Sequence, residues 1–171
     1  TIFLGGMMTT LIWIEHDGKH FHPTSLNLIE AAKQFNQDIV AVVMGKNVGD
    51  IARDVSQLEG LSKVVVCEAD FFFPFRAEVI AKTLFELSEN YDVFLASSTS
   101  QGKNIFPRFA GLMQQGMLSD IVEIKSRNTF VHPIYAGNAL AISECTSPKL
   151  IATIRASAFE KTSIQSNACH I

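Results

Sequence analysis

"DVFLASSTSQGKNIF", residues 92–106, runs from an apolar stretch through a small polar loop into a helix-forming segment. Val93-Phe94-Leu95-Ala96 has no polar position, the pattern of a strand covered on both faces. Such a strand needs helices on both sides, so this run argues for an α/β layer architecture. The loop Ser97–Asn104 then falls where the carboxyl end of a parallel strand meets a helix start, the usual ligand position in open α/β sheets. Two readings of the loop are open. Its backbone N–H groups could cradle a phosphate, or it could only turn the chain. The loop is neither GxGxxG nor a phosphate loop ending in GK[ST], and it lacks the SGGxDS pattern of ATP-pyrophosphatases.

The same rhythm extends outward. "TTLIWIEH" (9–16), "DIVAVVMG" (38–45) and "KVVVCEA" (63–69) read as further strands, the last two as buried ones. Between them, Leu28, Ala31, Ala32 and Phe35 share one face of a helix started by Thr24 and reaching about Asn36. Asn47 is expected to cap a short helix ending near Gln57, and Val79, Ile80, Leu84 and Leu87 form the stripe of a third. A fourth is predicted over Asn104–Gln115, with Pro107-Arg108 near its start and Gly116 as its stop. "DIVEIKS" (120–126) reads as a fifth strand. Short links between alternating strands and helices imply right-handed crossovers and a parallel sheet.

Beyond Ser126 the rhythm changes. Runs near 129–135, 139–145 and 149–155 follow one another with no helix between, separated by Gly137-Asn138 and Ser147-Pro148. They read as an antiparallel meander, with Pro133 pushing the first run toward an edge. The expected fold is one three-layer α/β/α domain over 9–157, Rossmann-like and mostly parallel, with antiparallel strands in its C-terminal part. Residues 1–8 read as tag or upstream residues, with Met7 or Met8 as native start. Residues 158–171 are polar and aperiodic and read as the start of an interdomain linker.

At 171 residues the chain has room for one full core. A net charge of −3 and the lack of any basic block argue against nucleic acid as a partner. No apolar run approaches the ~20 residues of a membrane span. Three cysteines without a CxxC suit a reducing compartment, with Cys67 and Cys145 read as small core residues.

Several residues invite a chemical reading. His16, His20 and His22 could hold a metal, or simply line a polar loop. Ser97, Ser98, Thr99 and Ser100 offer hydroxyls, but no GxSxG elbow surrounds them, and one should cap the next helix. Glu68 and Asp70 could serve as acid and base, or end a strand in solvent. Arg108 near a helix start opposes the helix dipole by ~0.3–1 kcal/mol, which calls for a partner inside the domain or across an interface. Phe71-Phe72-Phe73-Pro74-Phe75 should plug the core or meet another subunit or domain. No residue is assigned as catalytic, cofactor-binding or metal-ligating.

Taken in order, Gly102-Lys103-Asn104, Pro107-Arg108, Ser119-Asp120, Tyr135-Ala136-Gly137-Asn138-Ala139 and Thr153-Ile154-Arg155 make a specific set. With "HPTSLNLIEAAKQF" near the start, the chain from Thr9 to Phe159 resembles the N-terminal domain of the electron transfer flavoprotein alpha subunit family. The resemblance implies a heterodimer with a beta subunit. It implies one FAD that carries electrons from acyl-CoA and related dehydrogenases to a membrane quinone oxidoreductase. It implies a domain of the adenine-nucleotide alpha-hydrolase type. FAD belongs to a second domain whose glycine- and serine-rich motifs this sequence lacks, so no FAD ligand falls on any residue here. The related beta subunit holds AMP and the alpha domain is not expected to, so Ser97–Asn104 becomes a nucleotide-type loop kept in a scaffold. Ala136-Gly137-Asn138 and Pro107-Arg108 are the candidates for interdomain or intersubunit contact. The isolated chain should be colourless and without catalytic activity, from a bacterial cytoplasm or, in a eukaryote, the mitochondrial matrix. The rival readings are a stand-alone nucleotide-binding domain of universal-stress-protein type and a small hydrolase using Ser97–Ser100. Neither accounts for the Ala136–Ala139 and Thr153–Arg155 segments.

Overall fold

The computed structural model describes residues 9–165 and 167–171; the tag or upstream residues 1–8 lie outside the described residues. Six strands form one parallel sheet. In chain order they are β1 (Thr9–Trp13), β2 (Asp38–Gly45), β3 (Lys63–Glu68), β4 (Val93–Ser97), β5 (Leu118–Ile121) and, last in the chain, β9 (Leu150–Ile154). Their spatial order is β3-β2-β1-β4-β9-β5, and every pair is parallel. A second, antiparallel sheet is made of β6 (Glu123–Ile124), β7 (Thr129–Ile134) and β8 (Ala139–Glu144).

The apolar strands are buried on both faces because their alternate residues feed two cores. Leu11, Trp13, Val40, Val42, Phe94 and Ile151 point one way. They meet α3 (Ala77–Leu87) and α4 (Ser100–Met113), where Phe94 packs edge-on against Phe109 with ring centres 4.9 Å apart. Ile12, Ile39, Ala41, Val43, Leu95 and Ile154 point the other way, onto α1 (Ser25–Lys33) and α2 (Gly49–Ser56). The two-residue period of a strand converts one uninterrupted apolar run into two separate contacts.

The structure corrects four local expectations. The run 149–155 is not the third strand of a meander. Leu150–Ile154 is buried at every position and inserts between β4 and β5, deep in the parallel sheet. A run of "LIATI" has no polar alternation to leave one face wet, so the sheet interior is its natural place. The run 120–126 is not one strand. Asp120 adopts φ 63°, the register of β5 against β9 shifts between Leu118 and Ile121, and the chain leaves one sheet for the other. Next, α4 begins at Ser100 rather than Asn104, so Pro107 lies inside the helix instead of near its start. A proline favours a first turn, yet here the Thr99 hydroxyl has already capped the helix. Fourth, Cys67 and Cys145 are only half-buried, and all three cysteines are free thiols. Burial still pushes the Cys67 thiol pKa upward.

The segment after β9 is fastened to the α1–α2 layer. Thr162 donates its N–H to Leu26 O at 3.1 Å and receives Lys33 Nζ at 2.9 Å. Ile164 bridges Leu58, and His170 makes a parallel bridge to Lys63 at the head of the edge strand β3.

Candidate functional site

From β1 the chain crosses to β2 and β3 on one side, then returns through α3 to β4 on the other. The carboxyl ends of β1 and β4 therefore flank a crevice where the strand order reverses. The loop Ser97–Asn104 faces it. Thr99 Oγ1 accepts the N–H of Gly102 at 3.1 Å, which caps α4. The same hydroxyl donates to Glu15 Oε2, from the segment that follows β1. A carboxylate of the chain itself thus faces the positive end of α4, where an anionic ligand would otherwise rest. Gly102 is also accounted for. A Cβ built there would lie 2.0 Å from Ser97 O, so the glycine lets the first turn of α4 sit against the end of β4. Cap and glycine both serve packing. Thr99→Ala is expected to cost about 1 kcal/mol of stability, read by urea denaturation of both proteins.

The histidines are spread along the loop after β1 rather than gathered. Gly18 N–H donates to His16 Nδ1 at 3.1 Å, so Nε2 carries the proton and donates to Met44 O at 2.9 Å. His22 Nδ1 pairs with Thr24 Oγ1 at 2.8 Å. Asp17 Oδ1 accepts the N–H groups of Lys19 and His20, and these bonds hold its pKa below the usual carboxylate value. Among the described residues no group of three or more histidine, cysteine or acidic side chains could hold a metal ion.

Other candidates find structural partners. Glu68 Oε2 accepts the N–H of Val48 at 2.9 Å and so caps α2, a job the sequence assigned to Asn47. Asp70 pairs with Lys46 at 2.8 Å. Arg108 reaches Glu78 of α3 at 3.2 Å and donates to Asn104 O at 2.8 Å, so its cation is satisfied within the domain. The argument for Arg108 as an interface residue rested on an unmatched charge, and that charge is matched. Within the aromatic cluster Phe72 is buried, whereas Phe71, Phe73 and Phe75 are exposed.

Two stretches that lie far apart in sequence meet in one cluster. Asp120 donates its N–H to Thr153 Oγ1 at 3.0 Å, and its Oδ2 accepts Arg155 Nε at 3.1 Å and a second, closer Arg155 N–H. They border a polar hollow of about 400 Å³ with Ser97, Lys103 and Ser157. The Arg155 hydrogen bond is the main reason the Asp120 pKa is lowered. A lowered folded-state value means this carboxylate stabilises the fold above the ordinary aspartate pKa of ~3.9, and that the contribution is lost as pH falls through the folded value. Carbon-detected NMR titration should find Asp120 below ~3.9, and Arg155→Gln should move it back up.

One feature was hidden from a reading of motifs. In β8, Leu140 and Ile142 share one face by the two-residue period and are 65% and 66% exposed. Beside them, the turn 135–137 holds three successive residues at positive φ, Tyr135 at 49°, Ala136 at 55° and Gly137 at 92°, and leaves Tyr135 80% exposed. Two non-glycine residues in that region store strain, which is a mark of functional segments.

A family model of the electron transfer flavoprotein domain matches residues 10–169. The chain belongs to the electron transfer flavoprotein family. It is 34% identical to the electron transfer flavoprotein subunit alpha of Pseudomonas aeruginosa, over 96% of this chain and 53% of the relative. It is 36% identical to a probable mitochondrial subunit alpha of Schizosaccharomyces pombe, over 89% of this chain and 46% of the relative. A probable mitochondrial subunit alpha of Cryptococcus neoformans var. grubii is 31% identical over 96% of this chain. The chain therefore spans about half the length of the curated relatives it matches. Within the family frame, the three-layer α/β/α expectation and the Rossmann-like strand order agree with the observed sheet.

Proposed function

We propose that this chain is the amino-terminal domain of an electron transfer flavoprotein alpha subunit and works as a scaffold. It pairs with a beta subunit and supports an FAD-holding domain, which residues 158–171 lead toward as a linker. The full heterodimer passes electrons through FAD from acyl-CoA and other dehydrogenases to a quinone oxidoreductase. The setting is a bacterial cytoplasm or a mitochondrial matrix. This domain itself holds neither FAD nor nucleotide and catalyses nothing.

The observation that carries the reading is the family match across residues 10–169. The helix start of α4 supports the scaffold role, because Glu15 and the Gly102 contact occupy what a phosphate would need. The exposed apolar face of β8 with Tyr135 supports a protein partner. The test is co-purification with a beta subunit, followed by light scattering and analysis of the denatured supernatant. A one-to-one complex with this chain contributing no flavin or nucleotide is expected. Failure to associate would overturn the scaffold reading. Adenine nucleotide released from the chain alone would favour the stand-alone nucleotide-binding reading.

A further inference from the structure

A cavity of about 290 Å³ opens at the carboxyl ends of β1 and β2, on the side of α3 and α4. Its walls include Trp13, Met44, Phe72, Phe73, Phe75 and Ile80. Trp13 is 4% exposed, and its indole N–H is cut off from solvent with no acceptor among the described residues. Buried indole N–H groups nearly always find a partner. Leaving one unmatched costs on the order of 1–3 kcal/mol. A phenylalanine at this position would fill the same core face without that cost.

The charged groups at the mouth are already committed. Lys46 is paired with Asp70, Asp17 accepts two backbone N–H groups, and the His16 Nε2–H is spent on Met44 O. Gln101, in the first turn of α4, also lines the cavity, and its carboxamide makes no hydrogen bond among the described residues. What remains unmatched is neutral: one indole donor and one carboxamide, between aromatic walls. Phe73, 74% exposed at the rim, leaves an apolar surface that an occupant would cover.

We propose that this cavity binds a neutral planar ring bearing a carboxamide-like edge. The ring lies against the phenylalanines, its carbonyl accepts the Trp13 Nε1–H, and its amide meets Gln101. The volume is at the small end of ligand pockets, which run from ~300 Å³ upward, and suits a single ring.

Trp13 is the sole tryptophan, so one indole cross-peak in a ¹⁵N-correlation spectrum reports on the site directly. Benzamide and nicotinamide are the probes. The expected result is a saturable downfield shift of the indole proton with either amide. Toluene, which has no carbonyl, should leave that proton in place. Trp13→Phe should weaken benzamide binding roughly tenfold by calorimetry, the size of one hydrogen bond to a buried donor. Gln101→Ala, near the surface and outside the core clusters, should weaken it severalfold with the indole peak still present. An indole proton unmoved up to the solubility limit of both amides would overturn the proposal. So would Trp13→Phe binding benzamide as tightly as the parent. A shift caused by the beta subunit but by neither amide would make the cavity a protein contact, and the ring proposal would fall while the scaffold reading stood.

Discussion

Gly102→Ala is expected to destabilise the domain by ~3 kcal/mol or prevent folding. The added methyl would lie 2.0 Å from the carbonyl oxygen of Ser97, and both atoms belong to backbone that cannot rotate away. Relief requires α4 to lift from the end of β4. That helix carries Ile105, Phe106 and Phe109 into the core, so the shift spreads. Gly111 in the same helix is the control, because a Cβ there meets nothing within 4 Å. Gly111→Ala should gain up to ~1 kcal/mol from helix propensity. Opposite signs at two glycines of one helix, read by urea unfolding, would separate packing from propensity. The result bears on function as well. Were Gly102 kept for the close approach of a phosphate, alanine would spare stability and remove only ligand binding.

The paired substitution Leu140→Asp with Ile142→Asp should weaken association with the beta subunit by roughly 30-fold or more, the range of interface hot spots. Both side chains are exposed in the isolated chain, so its own stability should change by no more than ~1 kcal/mol, the span of strand preferences. Leu112→Asp on α4, also exposed, serves as the control and should leave association unchanged. Titration calorimetry against the beta subunit distinguishes the cases. If the paired variant binds within twofold of the parent, β8 is not the contact surface, and the search moves to the exposed phenylalanines around Phe73.

Much of this molecule could be read from residue order alone. Val93–Ala96 and Ile39–Met44 are apolar at every position, and a chain that must bury both faces of a strand has few architectures open to it. The family-specific segments were also legible, since Thr153-Ile154-Arg155 and Ser119-Asp120 keep their identity whatever surrounds them. The meeting of those two segments was not legible. Asp120 and Arg155 are brought together only because β9 returns through the sheet to lie beside β5. The misplaced run 149–155 shows the limit: its composition marks a buried strand, yet its neighbours in sequence suggested a hairpin partner.

Local chemistry therefore determined the elements, the two-sided burial and the family. Long-range contact determined what each polar group does. Whether Ser97–Asn104 cradles a phosphate depended on Glu15, 84 positions from its partner Thr99. Whether Arg108 was free depended on Glu78 in another helix, 30 positions away. Whether Trp13 had an acceptor depended on walls drawn from β2, α3 and the segment between β3 and α3. Periodicity and propensity act over a few residues, so they carry burial and secondary structure. A hydrogen-bond partner is set by where the folded chain places it, and sequence distance carries no record of that.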